Sequence, residues 1–329
     1  MKLIFFLVAF SLIFIRAYFL LSDHADEKKG VFTITIETNG DYEQIKYAGQ
    51  IKLTDDETGF KSISPGGYVK FRKNDTRFTA QSNITGEISY TLSDDGQPVP
   101  PDDKGKSIIR GAIQEMIAYG FDGTARMERL YQQGGSAALI NALDHLKDAG
   151  LMGRYIDKLF ASDSLSTDDC AAVAIHIKSI NSDADKVNFL EKFTIKQLGY
   201  PQVSSTWFEV VKALNADVDK LNVTNWLLAK PGAVLYFDDL LDIGSRLNAD
   251  VDKVNILQKI SQLPNLTEAQ WINLISKAEI INADIDKVNL LQQMAHNMPK
   301  SDAVKQAWVK AAKTINNDAD YGRLIRSVE

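Results

Sequence analysis

Two different grammars in one chain predict an α+β protein whose β and α parts form separate domains. Residues 31–92 alternate apolar and polar side chains between Gly- and Asn-rich turn signals, whereas the chain from residue 180 onward repeats one phrase, Asn-x-Asp-x-Asp-Lys, at a fixed spacing. An apolar run at 3–21 precedes both. The organisation that follows is a transmembrane anchor or signal segment at 1–22, a small antiparallel β module at 30–95 and a Pro-rich linker at 96–106. An α-helical repeat solenoid with hairpins of about 34 residues completes it at 107–329.

The run 3–21 is apolar except for Ser11 and Arg16. At about 1.5 Å per residue it spans about 28 Å as a helix, close to the hydrocarbon thickness of a bilayer. Arg16 costs about 2.5–3.5 kcal/mol near the bilayer centre unless it snorkels outward. In the competing reading Lys2 begins a signal peptide with 3–15 as its apolar region. No small-x-small cleavage site follows, because Ile15 stands two positions before Ala17 and Asp23 two before Ala25. Either reading carries the rest of the chain across a membrane. The expected location is therefore the cell envelope, anchored with the bulk non-cytoplasmic, or exported after cleavage.

In the β module, VFTITIE from Val31 alternates, Asn39-Gly40 signals a turn, and QIKYAGQIKL from Gln44 resumes the alternation. Strands are further expected at 68–72, 77–80 and 87–92, which makes about five. The acids Asp55, Asp56 and Glu57 invite a calcium reading, but three carboxylates in an extended run cannot converge on one ion, so a solvated loop is the simpler assignment. GQPVPPDDKGK (96–106) reads as the linker, and 107–120 and 125–143 as amphipathic helices leading into the repeats.

The phrase begins at Asn181, Asn215, Asn248, Asn282 and Asn316, in steps of 34, 33, 34 and 34 residues, as expected of stacked helical hairpins. In the copy from Leu247, Asn248 is expected as a left-handed C-cap of one helix and Asp250 as N-cap of the next, worth about 1 kcal/mol. Asp252 then complements the dipole in the first turn. Val251, Val254, Leu257 and Ile260 form the expected core stripe, widened by Ile256. Its equivalents are Ala184, Val187, Leu190 and Phe193; Val218, Leu221 and Leu227; and Ile285, Val288, Leu291 and Met294. Trp207, Trp271 and Trp308 anchor the first helices. A degenerate copy precedes the clear ones around Lys147, and Gly322, Arg323 and Arg326 mark a polar terminal cap. The whole is a right-handed stack of about six hairpins.

A second Asn recurs seven residues after the first, at Asn188, Asn222, Asn255 and Asn289, inside a helix where Asn is a poor former. Two readings stand. In one the four tie hairpin to hairpin by hydrogen bonds; in the other they line the concave face and clamp an extended peptide. Asp185, Asp219, Asp252 and Asp286 lie one turn earlier on the same face and would favour a basic or polar segment. These eight residues are the candidate partner-binding set.

Net charge −6 and pI near 5.4 argue against a nucleic-acid phosphate footprint. A single cysteine, Cys170, excludes an intramolecular disulfide, and its apolar helical setting makes it a core residue. His24, His145, His176 and His296 lie far apart, and His176 sits on an apolar face as a core histidine. The phrase resembles the start of an EF-hand loop but has Lys where that loop needs Gly and lacks its final Glu. No nucleophile-elbow, phosphate-loop or dinucleotide motif is present, so neither a catalytic residue nor a cofactor nor a metal is expected.

DDETGFKSISPGGYVKF, followed by a linker, GFDGTARMERLYQQGG and hairpins bearing I-x-S-D-x-x-K, resembles a family of poorly characterised bacterial envelope proteins. The resemblance covers about residues 45–329, with SISPGGY its most specific part, and some relatives are associated with membrane metallopeptidase-like sensors. The chain departs from the pattern in having Asn-x-Asp-x-Asp where relatives more often have Ser-Asp-Tyr. It also lacks HExxH, so the resemblance implies an accessory or regulatory role. The expected function is a non-catalytic protein-interaction scaffold binding a peptide or protein through the repeats, with membrane attachment through the N-terminal helix. The alternative is a regulatory or sensory accessory that contacts its partner through the β module.

Overall fold

A computed structural model describes residues 31–38, 41–161 and 165–326, in two compact units that meet in sequence at Asp122 and Gly123. The anchor or signal expected at 1–22 and the Asn39-Gly40 turn lie outside the described residues. No helix among the described residues is long and apolar enough to cross a membrane.

The first unit is an antiparallel sheet with one helix on it. Strands β1 (Val31–Thr38), β2 (Asp41–Ala48), β3 (Ile51–Leu53), β4 (Phe60–Ile63), β5 (Tyr68–Lys73), β6 (Thr76–Ser82), β7 (Ile88–Asp94) and β8 (Gln97–Pro98) are followed by α1 (Asp103–Ala118). The six-stranded sheet runs β1-β2-β5-β6-β7-β8, and β3-β4 form a separate hairpin. Period-two alternation places Ile45, Phe71, Phe78 and Leu92 in one cross-strand row. Val69 and Ala80 pair in the next. All six are buried, in one core with Ile109, Ile113, Met116 and Ile117 of α1.

Two expectations change here. The alternating run 44–53 is broken by Gly49 at φ +92°, so β2 ends at Ala48 and β3 turns away to pair with β4. Residues 96–106 are not a linker, nor does α1 lead into the repeats. Gln97-Pro98 pairs with β7, Pro98 taking the edge position where its missing N–H costs nothing. Val99 is buried, and the Asp102 carboxylate accepts the N–H groups of Lys104 and Gly105 to cap α1. A Cβ on Gly105 would stand 2.3 Å from the Pro100 carbonyl oxygen, so only glycine lets α1 begin there.

The second unit is a stack of six helix pairs, α2 (Gly123–Leu143) with α3 (Ala149–Phe160), α4 (Thr167–Ser179) with α5 (Asp183–Leu190), and, after a short α6 (Ile195–Leu198), α7 (Pro201–Ala213) with α8 (Asp217–Leu228). Then come α9 (Phe237–Ser245) with α10 (Asp250–Ile260), α11 (Glu268–Ser276) with α12 (Asp284–Asn297), and α13 (Asp302–Ala312) with α14 (Asp318–Arg326). Second helices stack in the order α3, α5, α8, α10, α12, α14, and among first helices α2 packs on α4, α4 on α7 and α11 on α13. One apolar core runs from Met127 to Leu324 without interruption, as sharing between hairpins requires.

Local chemistry starts the first helices. Ser166, Thr267 and Ser301 cap α4, α11 and α13, and Pro201 opens α7. Trp207 and Trp308 are buried and donate their indole N–H to the carbonyls of Leu190 and Leu291 in the preceding second helix, at 3.1 and 2.9 Å. The degenerate first copy occupies the expected place as α3, capped by Asp148, and in the last copy Leu324 fills the core while Arg323 and Arg326 face solvent.

Candidate partner-binding face

The repeated phrase divides into two sets of side chains with separate tasks. Asp183, Asp217, Asp250 and Asp284 are the first residues of their helices, each one residue past the cap position expected for Asp250. Their carboxylates reach forward to the next repeat. Asp183 accepts the Asn215 backbone N–H at 2.7 Å, Asp217 that of Asn248 at 2.6 Å, Asp250 that of Asn282 at 2.8 Å and Asp284 that of Asn316 at 3.1 Å. The Asn215 and Asn248 amides donate to the same oxygen, at 3.0 and 2.9 Å. Asn248 therefore does not take the left-handed conformation; Asn265 does, at φ +59°. What fixes Asn248 is its predecessor's carboxylate.

The phrase lysines complete each rung from the same helix. Lys186, Lys220 and Lys253 lie 3.2, 3.4 and 2.9 Å from Asp183, Asp217 and Asp250, with both partners largely buried. At the last rung Lys287 instead donates to the Thr314 carbonyl at 3.0 Å, and Asp284 Oδ1 is buried without a hydrogen-bond partner. Burial pushes the Asp183 carboxyl up, but hydrogen bonds from Asn215 and Lys186 outweigh it and hold the group below the ordinary aspartate range. For Asp217 the Asn248 N–H is itself the largest influence, and the result is again downward. Asp250 repeats the Asp183 balance, with Lys253, Ala283 and Asn282 overcoming burial.

The second set faces outward. Asn188, Asn222, Asn255 and Asn289 are exposed, one on each of four successive second helices, and among the described residues their side chains make no hydrogen bond. Hairpins are thus tied together by the first Asn and first Asp of the phrase, not by the second Asn. Asp185, Asp219, Asp252 and Asp286 are half-buried three residues earlier. Four residues before three of the asparagines stand Val218, Val251 and Ile285, 59%, 56% and 47% exposed, where a core position was expected. Ala184 occupies that place in the first copy and is also exposed. The face of the second-helix layer therefore carries, on α5, α8, α10 and α12, an apolar side chain, a carboxylate and a free carboxamide.

Among the described residues no group of His, Cys, Asp and Glu could hold a metal ion. The Asp56 carboxylate is used locally, accepting from the hydroxyls of Thr54 and Thr58 at 2.6 and 2.8 Å to close the β3-β4 hairpin. The SISPGGY phrase is also a turn device. Ser64 Oγ accepts the Gln50 N–H at 3.0 Å, Gly66 lies at φ +74°, and a Cβ on Gly67 would stand 2.8 Å from the Ala48 carbonyl. Cys170 is buried, which pushes its thiol up, with Asp169 adding to the effect. His176 is largely buried, and its Nδ1 lies 3.2 Å from the exposed Asp144 carboxylate. A depression of ≈ 390 Å³ beside Trp271, Asn265, Asn297 and Pro299 has no titratable group in its lining. No protein-family model, no curated protein and no solved structure matches the chain.

Proposed function

We propose that the chain is a non-catalytic interaction scaffold of the bacterial cell envelope, attached or exported through its N-terminal apolar run, that binds a peptide or protein through its second-helix layer. One observation carries this reading. Four helix-forming segments keep Asn at an exposed position where Ala would favour the helix by about 0.5 kcal/mol, and the amide groups so displayed have no use within the fold. An unused donor and acceptor at four successive hairpins, beside an exposed Val or Ile in three of them, suits the alternating carbonyl and N–H groups of a bound backbone.

A second reading, a regulatory or sensory accessory acting through the β module, draws support from β1. Among the described residues that strand pairs only with β2, leaving one edge open beside the exposed Val31 and Phe32.

The two are separated by panning a random peptide display library on the full-length protein and on a variant with Asn188, Asn222, Asn255 and Asn289 all changed to Ala. Peptides enriched on the intact protein and lost on the variant support binding by the helices. Equal enrichment on both directs attention to the β module and removes the first reading.

A further inference from the structure

The stack has a repeat distance, and that distance selects among peptide conformations. Neighbouring packed helices lie about 8–10 Å apart, so Val218, Val251 and Ile285, on the consecutive second helices α8, α10 and α12, offer an apolar contact about once per 9 Å. A β-strand rises about 3.3 Å per residue and turns successive side chains to opposite faces. Its third residue arrives at the right distance pointing the wrong way. A polyproline II helix rises about 3.1 Å per residue with three residues per turn, so every third side chain returns to one face after about 9.3 Å. It makes no internal hydrogen bonds, which leaves its carbonyls and the N–H groups of its non-proline residues free for the Asn222, Asn255 and Asn289 amides.

Charge narrows the choice. Asp219, Asp252 and Asp286 are half-buried beside the apolar row and have no ion-pair partner among the described residues. The phrase lysines cannot neutralise them, since Lys220 and Lys253 are committed to Asp217 and Asp250, and Lys287 to the Thr314 carbonyl. A ligand that brings one cation per hairpin complements this face, and one that brings carboxylates is repelled.

We propose that the face binds a polyproline II segment of about ten to twelve residues, apolar at every third position and carrying Lys or Arg in each triplet, a refinement that rests on the peptide-binding reading above. Proline in the triplet pre-organises this conformation, which lowers the ordering cost of binding.

The test is fluorescence anisotropy of three labelled twelve-residue peptides with the full-length protein: four Pro-Lys-Leu triplets, a peptide of identical composition with its leucines at every second position, and four Gly-Lys-Leu triplets. The triplet peptide is expected to bind at least tenfold more tightly than the rearranged one, to lose affinity when Gly replaces Pro, and to weaken with salt. Equal binding of the triplet and rearranged peptides overturns the proposal. So does absence of binding by all three while panning still yields peptides that depend on the four asparagines, and in that case the scaffold reading survives. Should the triplet peptide bind the quadruple alanine variant as well as the intact protein, both readings fail together.

Discussion

The Oδ2 of Asp250 lies 2.8 Å from the backbone nitrogen of Asn282 and 3.1 Å from that of Ala283, the residues that open the following repeat. The N–H of Ala283, the cap residue of α12, is one of the unpaired donors where a helix begins, that of Asn282 lies one residue before the helix, and α12 has no side-chain cap of its own. The preceding hairpin supplies the acceptor instead. Stacking and the entry to α12 are thereby coupled: without its preceding neighbour this hairpin lacks both a shared core and the acceptor at its second helix.

Changing Asp250 to Ala removes two backbone hydrogen bonds and leaves the largely buried Lys253 ammonium without its carboxylate. The expected cost is about 2–4 kcal/mol, seen as a lower urea midpoint of the full-length chain. Asp250→Asn keeps an acceptor but not the charge and is expected between the two. A midpoint unchanged by the alanine would show that the rung contributes nothing net.

Acid should attack the same rungs. Asp183, Asp217 and Asp250 have folded-state pKa values below their ordinary ones, so their stabilisation is fully present above the unfolded aspartate value of about 3.9 and is lost as pH falls through the folded values. Helical unfolding should steepen below about pH 4 in circular dichroism, with a shallower dependence when all three are Asn. An identical acid profile for the triple variant contradicts this.

The outward set behaves oppositely. Asn188, Asn222, Asn255 and Asn289 to Ala, together, should leave thermal stability equal or raise it, since each exposed helical site gains about 0.5 kcal/mol in propensity. A fall in melting temperature would mean that these side chains have a partner within the fold.

Trp308→Phe deletes the indole N–H bonded to the Leu291 carbonyl and leaves a space at a site 2% exposed. A loss of about 2–3 kcal/mol is expected. Hydrogen exchange should report it first in α13 and α14, because stability in a stack is largely local to neighbouring repeats.

Much of this architecture was legible. The 34-residue spacing of the phrase gave the hairpins, and period-two alternation gave the main strands. Three failures have plain physical causes. Local capping rules assign an Asp before a helix to its own backbone, and nothing local reveals that Asp250 serves a backbone 32 residues away. The stripe Val251, Val254, Leu257, Ile260 advances three residues per step, which on a helix falls short of a full turn by about 60° each time. Four such residues fan over about 180° and cannot all face one core, so Val251 comes out exposed while the other three are buried. The candidate asparagines were visible as poor helix formers kept at a fixed position, but their apolar companions were hidden by that over-extended stripe. In the first unit, Pro98 and Pro100 suggested a linker because edge pairing and a helix entry place prolines in the same way.

The most direct measurement is protection of the second-helix face by a bound ligand. Cys170 is buried and should be slow to react, so single cysteines at positions 222, 255 and 289, and a control at the exposed Leu235, report on their own sites when treated with a maleimide. With a saturating peptide selected on the intact protein, labelling at 222, 255 and 289 should slow at least fivefold while position 235 is unaffected. Unchanged rates at all three helix positions in the presence of a peptide shown to be bound would contradict a binding face built from these asparagines.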